Sequence, residues 1–492
     1  MKLNKNKWLI LLLAGVMIGC ESDDDTDDLI EEPVEYTSGS ADFSHYVAIG
    51  NSLTSGFTDG ALFMAGQQNS LANILAQQFA LAGGGEFTQP LMNGNTGGLL
   101  LGGTTIQEPR LFFNGAGPQR LNTTPTTEVT SKLEGAFNNM GVPGAKSFHL
   151  LAPGYGNVAG VATGQANPYF ARFASSPNAT IIGDAIAQQP TFFSLWIGNN
   201  DVLSYATSGG DGVYQKDNLD PSTYGGNDIT NPNVFAQVYS GLVSSLVAAG
   251  AEGVVANIPN VTTIPYFTTV PHNPVPLDAG TAGALGQGFT QYNGGLQQAL
   301  AGGLITADEA AARTIVFTEG RNAVVIEDES LTNLGALGLP SYRQATSNDL
   351  IILTASSFIG TNVGGNAQMI NGITVPLADK WVLTPAEQED VLEATTAFNQ
   401  TIKAVADANG LAFVDVNALL NQVATTGVSF DEYIMNARLV FGGAFSLDGV
   451  HPTGRGYAFI ANKFIEAINA KYGSNLPPVK AAGYTTIYPE SL

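Results

Sequence analysis

A single cysteine in 492 residues excludes an internal disulfide framework and any cluster of thiolate ligands. Histidine is scarce too. His45, His149, His272 and His451 are the only four, so the search for a general base is short. No HExxH zinc motif, P-loop or EF-hand loop occurs, and the expectation is a chain without metal or cofactor. Bases are few as well: 19 Lys and Arg face 42 Asp and Glu, a formal net charge of −23. That sign excludes nucleic acid as a partner, because phosphate binding needs a basic surface. The apolar run at residues 8–18 is far below the ~20 residues of a membrane-spanning helix. Internal repeats, heptads and a Pro/Gly-massed linker are also missing.

What is present begins at the N-terminus. Lys2, Lys5 and Lys7 precede that apolar run, and Gly19 and Cys20 follow it, the pattern of a secretory signal peptide over residues 1–19. The only cysteine, set directly after Ile18-Gly19, resembles a bacterial lipobox, with Met17 where leucine is usual. Cys20 would then be the lipidated first residue. Residues 20–42 read as a tether: ESDDDTDDLIEEPVE carries nine carboxylates in fifteen residues and no base, so it repels itself and stays solvated. It lacks the glycine turn and ligand-spaced glutamate of a calcium loop. An acidic run in this place also resembles export tags that carry some Gram-negative lipoproteins to the outer cell surface. The expectation is an outer-membrane lipoprotein, held to the membrane through Cys20 and facing either the periplasm or the exterior. Without the tether's acids and the signal's lysines, 33 acids still face 16 bases.

With 44% hydrophobic and 12% charged residues, the chain has material for a large core. Short apolar runs bounded by turn residues at 45–50, 191–197, 253–258 and 411–416 predict fully buried parallel strands. Helical patterns at 70–81, 234–249, 385–409 and 454–472 alternate with them. The fold class that follows is α/β, a three-layer α/β/α sandwich on a mostly parallel sheet. One domain is expected over residues 43–475, with a C-terminal tail at 476–492. Two segments exceed a minimal sandwich, 83–137 and 265–380, the latter with strand-like runs at 314–317 and 350–354. As insertions beyond the carboxyl ends of the strands they would shape a substrate pocket.

The chemistry concentrates at four places. In YVAIGNSLTSG an apolar run ends at Ser52, flanked by small and turn-forming residues, where an esterase would hold its nucleophile; the same pattern also makes a plain turn. In SLDGVHPTGRGY, Asp448 stands three residues before His451, a spacing that lets a carboxylate reach Nδ1 and frees the other ring nitrogen as a base. FFSLWIGNNDVL ends a strand at Asn200, whose carboxamide could donate to a developing oxyanion, although Asn and Asp there are also ordinary turn formers. NNMGVPGAKS offers the Gly144 backbone N–H, or a simple Pro-Gly turn. Of the other histidines, His45 opens a strand, His149 lies in the apolar SFHLL, and His272 sits in PHNPVP, a loop that could touch substrate.

Taken in order, GNSL, GVPGA, GNND and DGVH resemble the four blocks of the SGNH or GDSL family of serine esterases and lipases. ANIPNVTTIP, residues 256–265, resembles a strand-to-loop segment of its larger members. The resemblance implies a flavodoxin-like sandwich, Ser52 as nucleophile, and His451 as base oriented by Asp448. It implies an oxyanion hole from the N–H groups of Ser52 and Gly144 and the Asn200 side chain. Asn51 replaces the name-giving aspartate, which bears on loop stability more than on attack. Ser52 has no glycine two residues on, so the α/β-hydrolase elbow is excluded.

The implied function is hydrolysis of carboxylic esters, the substrate being an acyl lipid or an acylated glycan. Two alternatives stay open on the sequence: carbohydrate O-deacetylation, and a non-catalytic surface lipoprotein that binds glycan or another nutrient. Tyr205, Tyr214, Tyr266 and Phe267 could stack on sugars or line an acyl groove. A histidine base predicts activity falling as pH drops through roughly 6 to 7.

Overall fold

The computed structural model describes residues 34–492. The signal segment, Cys20 and the acidic run up to Pro33 lie outside the described residues. Strands β1 (Tyr46–Gly50), β2 (Asn139–Gly141), β3 (Phe192–Trp196), β4 (Glu252–Ala256) and β5 (Ala412–Val414) form one parallel sheet in the order β5-β4-β3-β1-β2. β1 pairs with β3 from Tyr46↔Phe192 to Gly50↔Trp196. Both strands are buried along their whole length, so they carry no polar alternation.

Helices cover both faces. Helix α1 (Leu71–Ala80) starts where the Ser70 hydroxyl caps the Asn73 N–H. α2 (Asn200–Thr207) follows β3, and α3 (Pro232–Ala248) opens on an Asn231 cap with proline in its first turn. α4 (Pro385–Ala408) is fixed by a Thr384–Glu387 capping box. α5 (Val416–Thr425) starts at an Asp415 cap, and α6 (Gly454–Tyr472) runs from the Thr453 cap to Gly473 in the left-handed region. α1 and α6 pack together on one face, and α2 and α3 pack on α4 on the other. The result is the three-layer α/β/α sandwich. Its chain order reverses between β1 and β3, which opens a crevice at their carboxyl ends, the place where open α/β sheets bind ligands.

Edge strand β2 has no counterpart among the predicted runs. It is three residues long, Asn-Met-Gly, with no β-branched side chain to mark it. The strand expected at 314–317 does not form either. There the Ile315 N–H and carbonyl bond the Asn293 carboxamide and the Val316 N–H donates to Gln344 Oε1, so side chains take the place of a partner strand. At 350–354 only Leu350–Ile351 pairs, with Val382–Leu383, before Leu353–Ser357 closes into a 3₁₀ helix.

The segment at 83–137 holds two short hairpins and contributes Met92, Leu99 and Val129 to a small apolar cluster separate from the main core. That at 265–380 contains the one-turn helix Pro265–Thr268, three longer helices, Ala279–Gln287, Thr290–Ala301 and Ala307–Arg313, and short antiparallel strand pairs. Inside it Arg343 pairs with Asp328 and Asp349 at 2.5 and 2.6 Å. The residues expected as a tail pack back on the domain: Leu476, Ala481 and Tyr488 are buried, and Arg110 donates to the Pro489 and Glu490 carbonyls. At the other end, Ser40 N–H meets the Tyr472 carbonyl at 2.8 Å. Among the described residues no helix is long and apolar enough to cross a membrane.

Candidate active site

β1 stops at Gly50, where a side chain would collide with the Trp196 carbonyl of β3 at 2.4 Å. The chain then turns into a one-turn helix, Ser52–Ser55, capped by Asn51. Asn51 is fully buried; its Oδ1 accepts from Leu53 N–H at 3.0 Å and its Nδ2 donates to Asn199 Oδ1 at 3.3 Å. The carboxamide thus both caps the Ser52 turn and ties it to the loop after β3. A carboxylate could keep the first bond, but it has no hydrogen to donate to Asn199 Oδ1.

Ser52 Oγ lies 3.0 Å from His451 Nε2, and His451 Nδ1 lies 2.8 Å from Asp448 Oδ2. The His451 and Asp448 side chains are only 14% and 13% exposed. Asp448 also accepts from the N–H groups of Val450, His451 and Gly60 and from the Ser446 hydroxyl, at 2.8 to 3.0 Å. Burial opposes its charge, but the His451 ring and the N–H donors of His451 and Val450 hold the carboxyl at about 2. A carboxylate so fixed selects the tautomer with a proton on Nδ1 and leaves Nε2 facing the serine as an acceptor. The Phe57 ring, 4.6 Å from the imidazole, packs beside it.

Asn200 opens α2 after Gly198, whose φ of +109° and contact with Phe235 and Ile258 leave no room for a side chain. One Asn200 amide hydrogen goes to the Ala145 carbonyl at 2.9 Å, and the other remains for a further acceptor. Next to it, buried Asp201 accepts from the Ser147 N–H and hydroxyl at 2.8 and 2.7 Å, so the loop bearing Gly144 is bound to the start of α2. Gly144 has φ +81° and lines a separate hollow with His149 and Tyr155. His149 is no base: burial and then Lys146 push it down to about 4, its Nδ1 accepts from Lys146 N–H, and its ring stacks on Tyr155 at 4.3 Å. His45 and His272 lie outside the cavities that Ser52 and His451 line.

Thr58, Asp59 and Gly60 carry no site motif in the sequence. They clamp the loop that carries Asp448 and His451. Thr58 Oγ1 donates to the Pro452 carbonyl, Asp59 N–H to Ser446 Oγ, and Gly60 N–H to Asp448, while Leu447 N–H donates to Asp59 Oδ1. Each pairing spans more than 380 positions of sequence, which is why no local pattern announces it.

Two cavities meet at the histidine. A narrow one of about 90 Å³ is lined by Ser52, Asn200 and His451 and otherwise mostly by apolar groups such as Ile264, Val423 and Phe459. A wide groove of about 1350 Å³ shares His451 and is walled by both inserted segments, including Leu111, Arg120, Tyr266 and Val270. Of the aromatic residues expected to meet substrate, Tyr266 lies in that groove, whereas Tyr205 and Phe267 are buried in the core and Tyr214 lines neither cavity.

The chain matches no protein-family model and no curated protein. Among solved structures it is similar to a catalytic mutant of Axe2, an acetylxylan esterase from Geobacillus stearothermophilus, at 11% identity and TM-score 0.32 over 89% of this chain and 98% of that one. A GDSL-like lipase from Parabacteroides merdae aligns at 11% identity and TM-score 0.32 over 88% of this chain and 100% of that one. LAE5, an alpha/beta hydrolase enzyme from the metagenome of Lake Arreo, aligns at 11% identity and TM-score 0.30 over 87% and 96%.

Proposed function

We propose that this chain is a serine hydrolase of carboxylic esters, of the SGNH or GDSL type. The observation that carries the reading is the line Ser52 Oγ, His451 Nε2, His451 Nδ1, Asp448 Oδ2, with steps of 3.0 and 2.8 Å. His451 takes the hydroxyl proton on Nε2 as Ser52 Oγ bonds to the ester carbonyl carbon. The oxyanion is received by the Ser52 N–H and the remaining Asn200 amide hydrogen, with the Gly144 N–H as the third donor that the family resemblance implies. Protonated His451 hands its proton to the departing alcohol, leaving an acyl-enzyme, and water, deprotonated by His451, releases the acid.

The acyl chain takes the narrow apolar cavity and the alcohol the wide groove. Each methylene buried there contributes about 0.8 kcal/mol, about fourfold in kcat/KM, so acyl chains beyond acetyl are preferred. Turnover of p-nitrophenyl esters from acetyl to palmitoyl tests this. Ser52→Ala should lose activity by at least about 10⁴-fold with the fold intact, and Asn200→Ala should lose on the order of 10² to 10³ in kcat. Unchanged turnover in Ser52→Ala ends the proposal, and a preference for acetyl turns it to deacetylation of glycans held in the groove. We also propose that Cys20 carries the lipid that holds the enzyme at the outer membrane. Cys20→Ala should move the protein from the membrane to the soluble fraction, and retention in the membrane would refute the anchor.

A further inference from the structure

Far along the chain from the serine, one carboxylate cluster has no counterion among the described residues. Glu329 and Asp379 belong to the inserted segment at 265–380, and Glu387 to the first turn of α4. One oxygen from each lies within 4.8 Å of the others. Glu387 is 6% exposed: its Oε2 is occupied by the Thr384 N–H and hydroxyl, but Oε1 is buried without any hydrogen-bond partner. Asp379 Oδ1 is likewise buried and unpartnered. Two orphaned carboxylate oxygens from different elements in one cluster are costly, since a buried charge requires a partner.

The surroundings supply none. The charges that act on Asp379, from Glu329, Asp211, Asp328 and Glu327, are all acidic. Lys380 turns its ammonium over the Trp381 ring. The backbone at Gly210, with φ +87°, passes so close that a Cβ there would touch Glu387 Oε1, so the site is walled by main chain.

We propose that Glu329, Asp379 and Glu387 bind a hard divalent cation, Ca²⁺, which fastens the inserted segment to α4. The donors are oxygen only, with no His or Cys among them, which selects Ca²⁺ or Mg²⁺ over softer ions. Oxygens within 4.8 Å of one another can share one ion at the Ca²⁺ bond length of about 2.4 Å, and Ca²⁺ tolerates the irregular all-carboxylate geometry that Mg²⁺, which demands a near-ideal octahedron and keeps its waters, does not. The ion supplies the charge that the two orphaned oxygens lack.

The test is thermal unfolding of the full chain, stripped with chelator and titrated with CaCl₂. A saturable rise in Tm of about 3 °C or more is expected, the size that binding at about 100-fold over Kd gives a domain of this length. Exposed Glu329→Gln should weaken the response at least tenfold in apparent Kd without disturbing packing, and Asp379→Asn should remove it. Glu387→Gln also touches the α4 cap, so Glu329→Gln carries the decision. No rise in the parent overturns the site. So does a rise that Glu329→Gln and Asp379→Asn retain unchanged, since Ca²⁺ would then sit elsewhere, as on the acidic run at 21–35.

Discussion

Asp59 bears the strain of the site. It is 1% exposed, sits at φ +52° where few side chains settle, and leaves Oδ2 buried without a partner while Oδ1 takes the Leu447 N–H. Burial is the main reason its carboxyl is pushed up to about 7 from an ordinary 3.8. The folded state therefore keeps a proton that the unfolded chain has already released. Stability from this group is intact below about pH 4 and is lost as pH rises toward 7. Asp59→Asn keeps the acceptor for Leu447, tolerates the left-handed backbone, and cannot ionise. Its Tm should fall less than that of the parent between about pH 5 and about pH 8 in calorimetry; parallel profiles would refute this role. Ser52, Asp448, His451 and Asn200 are legible in the sequence because each ends a buried run or opens a helix with a short, chemically specific block around it. Asp59, Gly60 and Ser446 are not, because what they do is defined by contacts between opposite ends of the chain.

At the scale of elements, the proposed acyl preference would be set by the helices that flank the narrow cavity. α5 supplies Leu420 and Val423 to its wall, and α6 supplies Phe459 and Ile460. Replacing Val423 by tryptophan fills volume that a chain needs and an acetyl group does not. Val423→Trp should lower kcat/KM for octanoyl and longer esters by about tenfold or more and leave acetyl nearly unchanged; an equal loss on all esters would mean that the site itself had been disturbed. The bounds of α6 coincide with those expected, 454–472, because its apolar period is unbroken between a threonine cap and a glycine stop. β2 escaped notice because its backbone pairing, rather than its side chains, places it in the sheet. Residues 314–317 misled for the opposite reason: their side chains suit a strand, and Ile315 and Phe317 are buried, but carboxamides occupy the backbone groups at Ile315 and Val316 that a ladder would use.

For the whole molecule, the sequence conveys the number of layers and misses how the ends close. The last residues are part of the core's cover, with Tyr488 against Phe63 and Asn69 and the Arg110 guanidinium spent on backbone carbonyls near the C-terminus. Ending the chain after residue 475 should lower Tm by several degrees and leave Arg110 buried without those acceptors; an unchanged melting curve would show the segment to be dispensable. The inserted segments resist reading because they are held by arginine–carboxylate and side-chain-to-backbone bonds rather than by periodic apolar faces. The seam between Ser40 and Tyr472 lies at the other end of α6 from His451. α6 begins three residues after His451 and runs nineteen residues to that seam, about 28 Å. Residue 40 thus joins the domain a full helix length along α6 from the Ser52–His451 pair.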